Sequence, residues 1–192
     1  IDEIRSLTSF EDYASKIADF ELAGKPTYFP FGVAPDFMDA RINVLWADGP
    51  GTILPDTTYY AEDHPQKADL LAKWRKAQED LLAKFGFAEE EIKDLLDKVL
   101  ELDAVFAQYV LSSEESSEYA KLYHPYKWDD FKALVPELPL ADIFTKLIGQ
   151  EPDQVIVPEE RFWQAAKDIY TAANWDKLHA LLILSAVRNT TP

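Results

Sequence analysis

Cysteine is absent from the 192-residue chain, and methionine occurs once, as Met38. No disulfide, thiolate metal site or cysteine nucleophile can be built, although this fixes no compartment. Histidine is nearly as scarce, with only His64, His124 and His179. None has a second histidine three to five residues away, so the chain lacks an H-E-x-x-H zinc helix, which needs two imidazoles one turn apart on one face. Positive charge is also short: Lys+Arg number 19 against 35 Asp+Glu, a formal net charge of −16. The deficit is spread as −6 over residues 1–60, −6 over 61–128 and −4 over 129–192. Binding phosphates requires a stripe of Lys and Arg whose counterions can be released, so no nucleic-acid partner is expected and anionic membrane surfaces are disfavoured. The longest apolar run, Leu178 to Val187, is interrupted by His179 and Ser185. It falls short of the roughly 20 residues that span a bilayer, so no membrane span is expected. Internal repeats and low-complexity linkers are missing, and no signal peptide is visible in these residues. So are a G-x-S-x-G elbow, a Walker loop, a G-x-G-x-x-G turn and a calcium loop.

What is present is a foldable chain. A hydrophobic share of 47% and an aromatic share of 13% outweigh the charge, and the length suits one domain, residues 1–192, with a sizeable core. The chain starts at Ile1 and its only methionine is Met38, as expected of a fragment or a processed piece. Ser9 with Asp12 three residues on reads as the cap of a first helix running to about Ala23. Tyr28 to Phe31 and Ile42 to Trp46 read as two short strands, the first confined to an edge because Pro30 cannot donate to a ladder. From Asp63, with Pro65 in the first turn, Leu70, Trp74, Ala77, Leu81 and Phe85 make a stripe ending at Gly86. Ile92, Leu95, Val99, Leu102, Phe106 and Tyr109 make another after Glu89-Glu90-Glu91. The two should form a long antiparallel helical hairpin, the stability core. Ser112 and Glu115 form a capping box for a short helix through Leu122, and Tyr123 to Tyr126 breaks it. Short helices follow Asp129-Asp130 and span Leu140 to Leu147; Gln154 to Val157 is extended; one helix carries Phe162, Ala166, Ile169 and Ala173, and a last one follows Asn174. The fold class is mainly α: a multi-helical domain with a small β element near residues 28–47.

No residue qualifies as catalytic, cofactor-binding or metal-binding. The acid pairs Glu89-Glu90-Glu91, Glu114-Glu115, Asp129-Asp130 and Glu159-Glu160 each fall in the first turn of an expected helix, where negative charge offsets the dipole. The rings at Tyr59-Tyr60, Tyr123 to Trp128, Phe162-Trp163, Tyr170 and Trp175 read first as packing, with a peptide- or sugar-binding surface as the alternative.

Whole segments, however, are familiar. Asp36-Phe37-Met38-Asp39 through Ile42-Asn43-Val44-Leu45-Trp46, then Ile53-Leu54-Pro55-Asp56-Thr57-Thr58-Tyr59-Tyr60, resemble the front half of neprilysin-type zinc metallopeptidases. Tyr123 to Trp128, Val155-Ile156-Val157 and Asn174-Trp175-Asp176-Lys177-Leu178 are similar in order and spacing, closest to the bacterial endopeptidase O branch. The resemblance covers nearly the whole chain. It implies part of an N-terminal, noncatalytic helical lobe that walls a substrate chamber and restricts it to oligopeptides. Zinc is then expected not here but in a carboxy-terminal catalytic lobe of the parent, which carries the H-E-x-x-H helix, a downstream glutamate and an Asn-Ala strand that holds substrate. The implied partners are oligopeptide substrates and that catalytic lobe. The implied location is cytoplasmic, with an extracellular one left open. The chain alone is expected to be no enzyme, and the apolar stretch Leu178 to Val187 is expected to lie uncovered and promote self-association. The competing reading is a stand-alone acidic helical interaction module.

Overall fold

The computed structural model describes residues 1–191; Pro192, the end of the expected domain, lies outside them. Two helices open the chain, α1 (Asp2–Arg5) and α2 (Phe10–Leu22), and Ser9 caps α2 by accepting from the Asp12 amide. Strands β1 (Phe31–Pro35) and β2 (Asn43–Ala47) follow, then α3 (Lys67–Lys84), α4 (Glu89–Tyr109) and α5 (Ser113–Ser117). The second half carries β3 (Pro125–Lys127), α6 (Trp128–Lys132), α7 (Leu140–Ile148), β4 (Gln154–Ile156), α8 (Glu160–Ala165) and α9 (Trp175–Asn189). The mainly helical class with a small sheet is as expected.

The sheet has order β1-β2-β4-β3: β1 and β2 pair antiparallel, β2 and β4 parallel, β3 and β4 antiparallel. The first strand begins at Phe31, after Pro30, not at Tyr28, and it does lie at an edge. Tyr28 cannot extend it, because its φ of 52° places it in the left-handed region. The β element is also larger than expected. Pro125–Lys127, read as a turn, pairs with β4; three residues are too few for any alternation to register.

The two long helices exist and are joined through Gly86, whose φ of 85° admits the turn. They differ from expectation in two respects. The first starts at Lys67, not Asp63, since Pro65 pushes His64 away from the helical region. Its expected stripe is also less buried than its spacing implies. Ala77 and Phe85 are exposed and Leu70, Trp74 and Leu81 only half-buried, whereas Gln78 and Leu82 are buried. Arg75 reaches from this face to Asp97 (2.8 Å) and Glu79 (3.1 Å). The hairpin is therefore not the core. That role falls to α4 packed against α9, with α1 on α9 and α2 on α7.

Helix α9 corrects the expectation of an uncovered terminal helix. Leu178, Ala180, Leu181, Leu182, Leu184, Ala186 and Val187 are all buried within the chain. A helix apolar around most of its circumference is an interior helix, and here α1 and α4 supply the cover. Self-association accordingly has no basis in α9. The helix after Glu159 is shorter than its apolar spacing suggested: α8 tightens to a 3-10 turn at Ala166–Asp168, and Ala173 is exposed. Likewise α5 stops at Ser117, although its capping box forms as read.

Candidate functional site

Each histidine serves the fold. His64 precedes α3, stacks on Tyr59 at 4.3 Å and accepts at Nδ1 from the Gln66 amide. His124 pairs with the backbone of Val157 and lies 3.3 Å from Glu160 Oε2. His179 stacks on Trp175 at 4.7 Å, with Nε2 2.8 Å from the Ile4 carbonyl. Among the described residues no group of three or more His, Cys, Asp or Glu could hold a metal ion. Zinc does not fit this chain: its imidazoles are dispersed and already engaged.

The rings divide into two sets. Phe162, Trp163 and Tyr170 are buried in the core, as the packing reading has it. A second set lies at the surface, around the β1–β2 hairpin. Its tip is a built turn: the Asp36 amide donates to the Ile42 carbonyl (2.7 Å), Asp36 accepts from the Met38 amide (3.1 Å), and Asp39 holds the amide and guanidinium of Arg41. This ordered turn presents apolar side chains to solvent, with Val33 69%, Met38 78% and Ile42 52% exposed. Phe37 packs against Tyr119 (4.9 Å), Tyr123 (5.9 Å) and Trp46 (6.0 Å), and Tyr119 is itself 67% exposed. Apolar groups held outward by a hydrogen-bonded turn on an acidic protein make this the candidate interaction surface. The sequence signal for it, two apolar residues between Asp36 and Asp39, reads equally well as an ordinary turn.

The loop at residues 52–60 is latched to α4. Buried Asp103 accepts from the Ile53 amide (2.8 Å) and the Tyr60 hydroxyl (2.5 Å), and Lys67 Nζ binds the Tyr60 carbonyl (2.9 Å). Burial raises the Asp103 carboxyl above its ordinary range, against the pull of these two donors. A second acidic junction joins β2 to α8. Glu159 accepts from the Leu111 amide (2.9 Å) and abuts Gly49 so closely that a β-carbon there would lie 2.8 Å from its side chain. Burial raises Glu159, and Asp48 adds to that through like charge; burial raises Asp48 as well.

These three acids set a pH dependence. A carboxyl raised in the fold opposes folding while ionised, so stability should increase as pH falls from 7 toward the ordinary carboxylate values of 3.8 and 4.5. Below them the order reverses. Side-chain hydrogen bonds from Lys and Arg lower Asp97 and Glu151, backbone amides lower Asp56 and Glu115, and what these contribute is lost as they protonate. Melting temperature against pH should pass through a maximum on the acid side of neutrality. Glu159→Gln, which keeps the acceptor for Leu111, should raise the melting temperature at pH 7 and flatten the rise. An unchanged profile would show that Glu159 is not the source.

The model of Peptidase family M13, for its N-terminal part, matches residues 1–192. A Streptococcus gordonii protein from the scaA 5′ region, named for the zinc metalloproteinases, is 95% identical over 192 residues, all of this chain and 34% of that protein. A neutral endopeptidase of Lactococcus lactis subsp. cremoris is 35% identical over 190 residues, 98% of this chain and 30% of the relative. The crystal structure of PepO from Lactobacillus rhamnosis superposes with a TM-score of 0.89 at 22% identity, over 98% of this chain and 30% of that one. The zinc metalloprotease ZMP1 of Mycobacterium tuberculosis gives 0.74 at 15% identity, over 95% and 28%. The chain thus spans about a third of the length of the curated relatives it matches. It belongs to peptidase family M13, matching the neprilysin-type N-terminal region of that family.

Proposed function

We propose that this chain is the noncatalytic lobe of a zinc endopeptidase, forming the wall of a chamber that admits oligopeptides and excludes folded proteins. The observation that carries this is the exposed apolar hairpin tip, Phe37, Met38 and Ile42 with Tyr119, on a chain of this peptidase family. Such a surface offers extended peptides weak, sequence-tolerant apolar contact, while the helices behind it keep the wall rigid. Zinc chemistry belongs, on this reading, to a catalytic lobe elsewhere in the same polypeptide, working on short peptides in the cytoplasm. The family match along the whole chain favours this over a stand-alone interaction module.

The test uses the full-length polypeptide and the absence of cysteine in this segment. A bulky polymer attached at Met38→Cys should lower kcat/KM for a long flexible peptide more than for a short one. The same polymer at Lys73→Cys, on the 72% exposed side chain of α3, should leave both unchanged. Efficient labelling at Met38→Cys with no loss for either peptide would remove the hairpin from the chamber wall.

A further inference from the structure

The sheet is unfinished on one side. β1 ends the order β1-β2-β4-β3, so no strand lies beyond it among the described residues. Which backbone groups face that open side follows from the register. The Asp48 amide donates to the Pro30 carbonyl and the Asp36 amide to the Ile42 carbonyl, each at 2.7 Å. Between these bonds the pairing runs unbroken from Phe31 opposite Ala47 to Pro35 opposite Asn43. Bonded and non-bonded pairs alternate along an antiparallel ladder, so Gly32 and Ala34 turn their backbone groups to β2 while Phe31, Val33 and Pro35 turn theirs away.

That outward row is short of donors. The Phe31 amide is taken by the Phe29 carbonyl at 2.9 Å, and Pro35 has no amide. Val33 alone offers both a donor and an acceptor, on an exposed residue, and a β-carbon built on neighbouring Gly32 would meet nothing within 4 Å. An open edge is a template for pairing with another chain, and a proline within it limits how long a ladder can grow. A second copy of this chain is a poor occupant, because two such edges share too few donors and each copy carries a net charge of −16. A short extended peptide, and a basic one above all, fits better. One of its residues satisfies both Val33 groups, and its amides two residues to either side reach the carbonyls of Phe31 and Pro35.

We propose that β1 binds an oligopeptide as one further antiparallel strand, through the amide and carbonyl of Val33 and the carbonyls of Phe31 and Pro35. The inference deepens the chamber-wall reading and rests on it for the occupant, since peptides are what such a wall meets. It also continues that surface, because β1 leads directly into the turn that carries Phe37 and Met38. Main-chain pairing gives affinity without a fixed sequence. A folded protein, whose strands are already paired, has nothing to offer this edge.

The experiment needs only this 192-residue chain, isotopically labelled. Its probe is the peptide acetyl-Lys-Val-Lys-Val-Lys-amide, blocked at both ends so that no terminal charge takes part, and followed by the amide chemical shifts of the chain. Saturable binding at millimolar peptide is expected, with the largest shifts at Gly32, Val33 and Ala34. Methylating the second and fourth peptide amides spares those that face β1 and should leave the affinity within about twofold. Methylating every peptide amide keeps the charge and should weaken binding by roughly tenfold or more. Val33→Pro removes only an amide that β2 does not use and should weaken binding by roughly fivefold or more, whereas Val33→Thr should not. Undiminished binding of the fully methylated peptide, an equal loss on alternate methylation, shifts mapping elsewhere, or no binding at millimolar concentration would each overturn the assignment. So would undiminished binding by a folded Val33→Pro chain. Val33 shifts that follow chain concentration without peptide would give the edge to a second copy and overturn it too. The outcome is independent of the Met38→Cys labelling result, so failure of this edge and failure of the wall reading are told apart.

Discussion

Replacing Trp163 by alanine is expected to destabilise the chain by about 3–5 kcal/mol, the upper range for a core substitution. Trp163 is fully buried. Its ring meets Phe131 at 4.9 Å, Phe31 at 5.4 Å, Phe162 at 5.5 Å and Tyr170 at 5.8 Å, so four aromatic contacts are lost with it. Its indole N–H also donates to the Asp48 carbonyl at 3.1 Å, and deletion leaves that half-buried acceptor without its donor. The residue couples β1, α6 and α8, so the loss falls on the sheet–helix junction and not on one element. Urea titration measures it. A cost below about 1 kcal/mol would mean that the aromatic cluster repacks around the void.

The second large effect distinguishes the arms of the helical hairpin. Leu102→Ala on α4 should cost about 2–5 kcal/mol, because Leu102 is fully buried and part of the core that α4 makes with α9. Leu70→Ala on α3 should cost under about 1 kcal/mol, since Leu70 is only half-buried. Similar large costs at both positions would restore the hairpin as the core. Similar small ones would mean that α4 is not packed as described.

This asymmetry shows what periodicity can and cannot tell. The spacing of Leu70, Trp74, Ala77, Leu81 and Phe85 identifies a helix, and α3 is there. Which side of it meets α4 was not legible, because that side carries Arg75 and buried Gln78, and an ion pair to Asp97 does the joining. For α9 the pattern was legible and its consequence misjudged: apolar residues on several faces meant an interior helix, covered by elements distant in sequence. Caps read best, since Ser9 and Ser112 act within four residues of themselves. The candidate surfaces were read least. Met38 and Phe37 look like turn filler until the turn's own hydrogen bonds show them held outward.

The parallel pairing of β2 with β4 has a consequence for how the chain acquires its shape. Leu45 lies opposite Val155 and Trp46 opposite Ile156, so this ladder closes a loop of more than a hundred residues. Closure entropy grows only as the logarithm of loop length, but it must be met before the contact returns anything. The local pieces, α2, the α3–α4 hairpin and the β1–β2 hairpin, can form early, while β2 waits with one edge open. During synthesis from the amino terminus, that edge and the Trp163 pocket beside it stay unfilled until β4 and α8 have emerged. The sheet is thus completed late, and a ribosome-bound chain stopped before Gln154 would carry α2, α3 and α4 without the seam that β4 supplies and without α9, the helix on which α4 packs.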